Sequence, residues 1–334
     1  MRRQYASVGS PPLINRSGAG DCTIPLLHAR HAGAIDNAEF HDLVLQQPQG
    51  PARTSLRRFG TSQGNQFGFV LAIGYFWSMA RDDRPWGSDD PPAVAYSYAP
   101  GRGAEHAIKL LAGYCGIVQC DGYAAYKQLL DRRRNSGPAA LAFCWAHWRR
   151  RFYEIAKAGP APIAQEALAR MAALYAIEKR IRGRSAAERV AVRQAESKPL
   201  IDALKSWLES ELRRVSGKSV IAGAIRYGFK HWDGLVRFLA DGRIEMDTNA
   251  VERAIRPVAL TRKNALFAGC DQGAANWAAV ASLIETCKLN GVDPQAYIED
   301  VLTKLVNLWP ASRIDDLMPW AWARAQNSTE RIAA

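Results

Sequence analysis

The six cysteines of this chain, at positions 22, 115, 120, 144, 270 and 287, form no CxxC pair. That scatter excludes a disulfide framework as the organising principle and suits reduced thiols in a cytosolic protein. No apolar run approaches the roughly 20 residues that a bilayer span needs. The amino-terminal MRRQYASVGSPPL has basic residues with no apolar stretch behind them, so it does not read as a signal peptide. Internal repeats and low-complexity tracts are absent as well. Acidic residues are in deficit: 44 Lys and Arg face 32 Asp and Glu, a formal net charge of +12. A surplus of that size favours a polyanionic partner, with nucleic acid first because neutralised phosphates release counterions. A basic surface kept for solubility, or for other acidic partners, is the plainer alternative.

What is present is a long chain with a large apolar share. Its 334 residues, 48% of them hydrophobic, can bury a sizeable core and suggest two units. Residues 1–66 are rich in turn formers (Gly9, Ser10, Pro11, Pro12, Gly18, Gly20) and show no long periodic segment. From residue 67, QFGFVLAIGYFWSMA reads as a strand and PPAVAYSYAP as its antiparallel neighbour. A helix is expected over 103–113, a short apolar run ending at Asp121, a helix through Leu130, and another apolar run, LAFCWAHW. From about 160 to 240 the signal is helical. Ala167, Met171, Leu174, Ile177 and Ile181 make one stripe, and Leu200, Leu204, Trp207, Leu208 and Leu212 a second. Ser185 to Glu188 is a capping-box pattern. A buried helix is expected from Trp277 to Leu289, closed by Gly291, with Asp293-Pro294 opening the next.

Three places carry candidate chemistry. Asp121 stands where an apolar strand stops and Gly122 follows. A carboxylate there projects into the crevice at the sheet's end, where phosphates and metals bind in α/β folds; it is equally an ordinary turn aspartate. Glu252 lies in EMDTNAVERAIRPVALTRKN. A reciprocal cap with Asn249 and an i,i+4 pair with Arg256 would explain it structurally. Its company of Arg253, Arg256, Arg262 and Lys263 suits a site where metal and nucleic acid meet. Cys144-Trp-Ala-His147 is a lone CxxH, too few ligands for a structural zinc site; a packed cysteine and a hydrogen-bonded histidine are the plainer expectation. Arg149, Arg150 and Arg151 form either a solvated helix face or a phosphate-contact strip.

Taken together, RDDRPWGSDDPPAVAYSYAPGRGAEH, LAGYCGIVQCDGYAAY, FCWAHWRRRFYEIA, DGRIEMDTNAVERAIRPVALTRKNALFAG, SLIETCKLNGVDPQAYIEDVL and IDDLMPWAWA resemble the insertion sequence 66 transposase family. The likeness runs from about Gly74 to Arg324. It implies an α/β fold with a ribonuclease H-like core, interrupted by an all-helical insertion and followed by a helical C-terminal tail. The divisions expected are a divergent, poorly ordered segment 1–73, core 74–158, insertion 159–245, core-completing helices 246–292 and tail 293–334. The resemblance also implies DDE-type, metal-dependent DNA cleavage and strand transfer for a mobile element. Asp121 takes the second acid and Glu252 the third, both as catalytic residues and as ligands of Mg²⁺ or Mn²⁺. Arg149, Arg150, Arg151, Arg253, Arg256, Arg262 and Lys263 are the expected DNA contacts. The partners are element ends and target DNA and further copies of the chain, not a membrane, and the expected place is the bacterial cytoplasm at the nucleoid.

One feature departs from the family pattern. The first acid belongs on the strand before IGYFWSMARDD, yet Gly50 to Ile73 contains no Asp or Glu. Asp36, Glu39 and Asp42 are the nearest acids upstream. The first core strand is therefore expected to be missing or replaced, the amino-terminal DNA-binding portion to be absent, and this copy to be impaired. A remnant that binds DNA or an intact transposase without cutting is the alternative.

Overall fold

The computed structural model describes residues 42–45, 52–60, 67–112, 114, 116–130, 139–261 and 270–333, with the backbone course alone at 42–45, 52–60, 67–73, 261 and 327–333. Six strands form one mixed sheet: β1 (Asp42–Leu45), β2 (Ala52–Gly60), β3 (Phe67–Arg81), β4 (Ala93–Ala99), β5 (Ile117–Cys120) and β6 (Ala140–Phe143). The helices are α1 (Ala104–Leu110), α2 (Trp145–Ala158), α3 (Pro162–Ile181), α4 (Ala186–Val192), α5 (Lys198–Arg214), α6 (Val220–Lys230), α7 (Trp232–Leu235), α8 (Asn249–Thr261), α9 (Asp271–Leu289), α10 (Pro294–Val306) and α11 (Pro319–Ala333). Where a helix was expected through Leu130, the chain makes a 3₁₀ stretch, Ala124–Leu130.

The sheet runs β2-β3-β1-β5-β6, with β4 also on β3. β3 is antiparallel to β4 and to β1, whereas β1, β5 and β6 are parallel. The place between β3 and β5 is thus held by Asp42–Leu45. Strands therefore stand upstream of Gly74, in a stretch where no long periodic segment was expected.

Both faces of the sheet are covered, as the period-two alternation of β3 requires. Trp77 and Met79 face a core with Leu111, Val118, Tyr126 and Leu129. Phe76 and Ala80 face the other way, onto Val251 and Ile255 of α8 and Ala274 and Ala278 of α9. Helices α3, α5, α6 and α7 share a core with α2 and β6, in which Ala142 of β6 and Trp145, Trp148 and Phe152 of α2 meet Met171, Leu174, Leu204, Leu208 and Ile225. The first expected stripe is buried throughout. In the second, Leu200 is 40% exposed and Ile201 is buried in its place. Ser185 and Glu188 make the expected capping box. Gly291 takes φ 69°, a left-handed value that suits glycine past a helix end. Asp293 accepts from Gln295 N and Ala296 N to start α10.

Buried ion pairs tie the insertion to the segment before α8. Glu178 of α3 pairs with Arg193, fully buried, at 2.7 Å, and with Arg189. Arg193 also donates to the carbonyls of Phe238 and Asp241, and Arg189 pairs with Glu245. These contacts hold residues 238–247 against the helices, a fixed approach to the turn that opens α8.

Candidate active site

Asp121 follows the last residue of β5. Its Oδ1 accepts from Tyr123 N at 2.9 Å, so the turn geometry is real. It also lines a cavity with His147, Arg150, Arg151, Glu154 and Tyr227. The Tyr227 hydroxyl donates to the Asp121 carbonyl at 3.1 Å. Gly122 has φ 85°, and a Cβ there would stand 2.9 Å from the Tyr227 hydroxyl. Glycine is needed both for the turn and for this close approach. Arg151 lies over the Tyr227 ring at 3.9 Å. Two of the expected phosphate contacts therefore border Asp121.

Glu252 sits in the first turn of α8. Two sequence expectations are corrected here. Thr248, not Asn249, precedes the helix and supplies its cap partner: its carbonyl accepts from Glu252 N and its hydroxyl donates to Glu252 Oε1 at 3.1 Å. Among the described residues, the Glu252 carboxylate forms no ion pair with the expected Arg256 and has His147 Nδ1 at 3.7 Å. That pairing turns Glu252 away from its own helix surface and toward α2. The 36% exposure of its side chain leaves it open to a ligand.

The two segments are zipped together by backbone. Trp145 N donates to Met246 O at 3.0 Å, and Thr248 N donates to Cys144 Sγ at 3.3 Å. Asp247 closes the joint. Its Oδ1 accepts from Tyr175 Oη at 2.7 Å and from Ala146 N at 2.9 Å, and its Oδ2 accepts from Asn249 at 3.1 Å. Burial raises its pKa above the ordinary value, against the hydrogen bond from Tyr175. One carboxylate thus joins the insertion, the start of α2 and the start of α8. Neither Asp247 nor His147 stood out in the sequence. The signal for Asp247 was its place two residues before Asn249 in the quoted motif; His147 was visible only as half of a CxxH.

The cations divide between two faces. Arg149, Arg150 and Arg151 are exposed on α2, Arg150 within 3.7 Å of Glu154. Arg253 lines a second cleft with Asp82, Trp86, Tyr175, Lys179 and Arg243. Arg256 is exposed. Arg262 and Lys263 lie outside the described residues.

The sheet register shows what accompanies Asp121. β1 runs parallel to β5 with Asp42 opposite Ile117 and Leu45 opposite Cys120. Asp42 is therefore four residues below the level of Asp121, about 13 Å at ~3.3 Å per residue. It starts its strand where a site acid should end one.

Residues 71–276 match the Transposase IS66 family, and residues 282–320 match the IS66 C-terminal element. The chain is 48% identical over 249 residues to the uncharacterized protein y4qI of Sinorhizobium fredii, covering 74% of this chain and 46% of that protein. It is 44% identical over 253 residues to y4jD of the same organism, covering 75% and 50%. The chain spans about half the length of the curated relatives it matches. No solved structure matches it. Among the described residues, no helix is long and apolar enough to cross a membrane.

Proposed function

The chain belongs to the IS66 transposase family, and from that premise we propose that it is the DDE-type catalytic part of a transposase whose acid set is one short. The observation that carries this is that His147 lines the cavity of the strand-end Asp121 and also lies 3.7 Å from the helix-start Glu252. The strand order β4-β3-β1-β5-β6, antiparallel on one side and parallel on the other, supports a ribonuclease H-like core. The helices from α3 to α7 stand as the insertion before the last acid.

A two-ion clamp on a scissile phosphate takes three carboxylates. Among the described residues the set does not fit it: β1 begins with Asp42, four residues from the level of Asp121, and Gly50 to Ile73 has no acid, while Asp36 and Glu39 lie outside the described residues. Mg²⁺ or Mn²⁺, which prefer oxygen donors, would find two carboxylates in Asp121 and Glu252. We derive no cleavage step from that incomplete set. What this chain's own side chains do is bind and position: Arg150 and Arg151 meet phosphate beside Asp121, while Asp247 and Thr248 hold Glu252 toward His147.

The same register favours a second reading, a DNA- or transposase-binding remnant that does not cut. Element ends, target DNA and further copies of the chain are the partners of either reading, in the bacterial cytoplasm at the nucleoid. The readings separate on Asp121→Ala and Glu252→Gln. Metal-dependent nicking of end-bearing DNA that both variants abolish supports residual catalysis. Salt-dependent DNA binding that both variants retain, with no nicking by the parent, supports the remnant.

A further inference from the structure

We propose that Cys144, His147 and Glu252 form a binding site for a borderline-soft divalent cation of the Zn²⁺ class, which shares Glu252 with the oxygen-donor pair at Asp121 but takes its other ligands from Cys144 and His147. The Cys144 Sγ, a His147 ring nitrogen and a Glu252 carboxylate oxygen all lie within 4.8 Å of one another. A tetrahedral ion with bonds of about 2.0–2.3 Å holds its ligands about 3.3–3.8 Å apart; His147 Nδ1 and Glu252 Oε1 already stand at 3.7 Å, and the Cys144 sulfur would close in on binding. A second observation points to a ligand there. His147 Nδ1 is buried and has no hydrogen-bond partner, contrary to the satisfied histidine expected for a lone CxxH. A buried ring nitrogen left so is unfavourable, and a cation between it, Cys144 and Glu252 would satisfy it.

The surroundings are arranged as an outer shell. Thr248 serves two ligands at once, its N–H toward Cys144 Sγ and its hydroxyl toward Glu252. Hydrogen bonds of this kind orient metal ligands and tune their basicity. Cys144 stands at the N-cap of α2, and burial pushes its thiol up to about 12, so an ion must displace that proton to bind the sulfur. Binding releases the thiol proton to solvent; the ion then takes sulfur, nitrogen and oxygen, and water fills the fourth position. Three protein ligands with one open place is the pattern of accessible zinc sites. Occupancy engages Glu252, so this ion competes with any ion that Glu252 shares with Asp121.

The site does not depend on catalysis by the chain, and its test reads binding alone. Purified full chain is titrated with Co²⁺ and followed by absorption, then with Zn²⁺ in competition. The expected result is one Co²⁺ per chain, with thiolate-to-cobalt charge transfer and the visible bands of tetrahedral coordination. Cys144→Ser should remove the charge transfer. His147→Ala and Glu252→Gln should each weaken binding at least tenfold while circular dichroism stays unchanged. Asp121→Asn should leave the cobalt spectrum as it was, whatever it does to DNA cleavage. Absence of charge transfer in the parent, or charge transfer that survives Cys144→Ser, would overturn the site. If Cys144→Ser does not fold, unaltered Co²⁺ affinity in both His147→Ala and Glu252→Gln overturns it equally.

Discussion

β5 and β1 are parallel neighbours, yet they finish differently. β5 ends in a buried run that delivers Asp121 to a glycine turn, beside cations and a histidine. β1 has its only acid, Asp42, at the opposite end. The flank around Asp121 and Glu252 is knitted by buried polar contacts from three elements, while the flank that should complete it supplies strand and no carboxylate. Strand pairing asks only for backbone, whereas a site asks for one side chain at one level, so the pairing of β1 with β5 does not by itself bring a carboxylate level with Asp121.

The largest effect should come from cutting the knit itself. Arg193→Ala leaves two carbonyls without their donor and Glu178 with Arg189 alone, and removing one member of a buried pair costs up to about 3–5 kcal/mol; the midpoint of urea unfolding reads it. Asp247→Ala should follow at about 2 kcal/mol or more, since Tyr175 and Ala146 lose their acceptor. It should also weaken Co²⁺ binding by loosening Thr248, which Asp247→Asn should partly restore. An Asp247→Ala protein as stable as the parent would break the view that one carboxylate joins the flank.

A smaller effect lies in pH. Burial holds the His231 ring below its ordinary value, and its Nδ1 faces the Tyr227 carbonyl at 2.8 Å. A cation-forming group with a lowered folded pKa gives its full stability above about 6.5 and loses it as pH falls, by at most about 1.4 kcal/mol per pH unit. His231→Gln should flatten the unfolding midpoint between pH 7 and pH 5, and an unchanged slope would count against that burial. Smallest of all, Asp42→Asn should alter neither DNA cleavage nor stability beyond about 0.5 kcal/mol. Metal-dependent nicking by the parent that Asp42→Asn abolishes would erase the contrast between the two strands.

Much of this was legible in the sequence, for physical reasons that differ by element. The β3–β4 pair showed itself through aromatic and aliphatic alternation, and α3 through steps of three and four. Asp121 was visible because a strand end before glycine is a local pattern. The orientation of Glu252 was not: a helix-start glutamate with an arginine four residues on reads as a surface pair, and the contact that turns it to His147 spans 105 positions of sequence. Asp247 was hidden for the same reason, its partners lying on α2 and α3. The strand at Asp42–Leu45 escaped notice because four residues are too few to show a period, and only pairing with β3 and β5 defines them.

The most direct test is cleavage. Purified chain is incubated with supercoiled DNA carrying the element's ends, in Mg²⁺ and separately in Mn²⁺, beside Asp121→Ala as the blank. An acid set one carboxylate short predicts nicking no faster than the blank, with salt-dependent DNA binding intact in both proteins. Nicking that needs the metal ion and disappears in Asp121→Ala would contradict it, and would mean that an acid elsewhere in the chain completes the site.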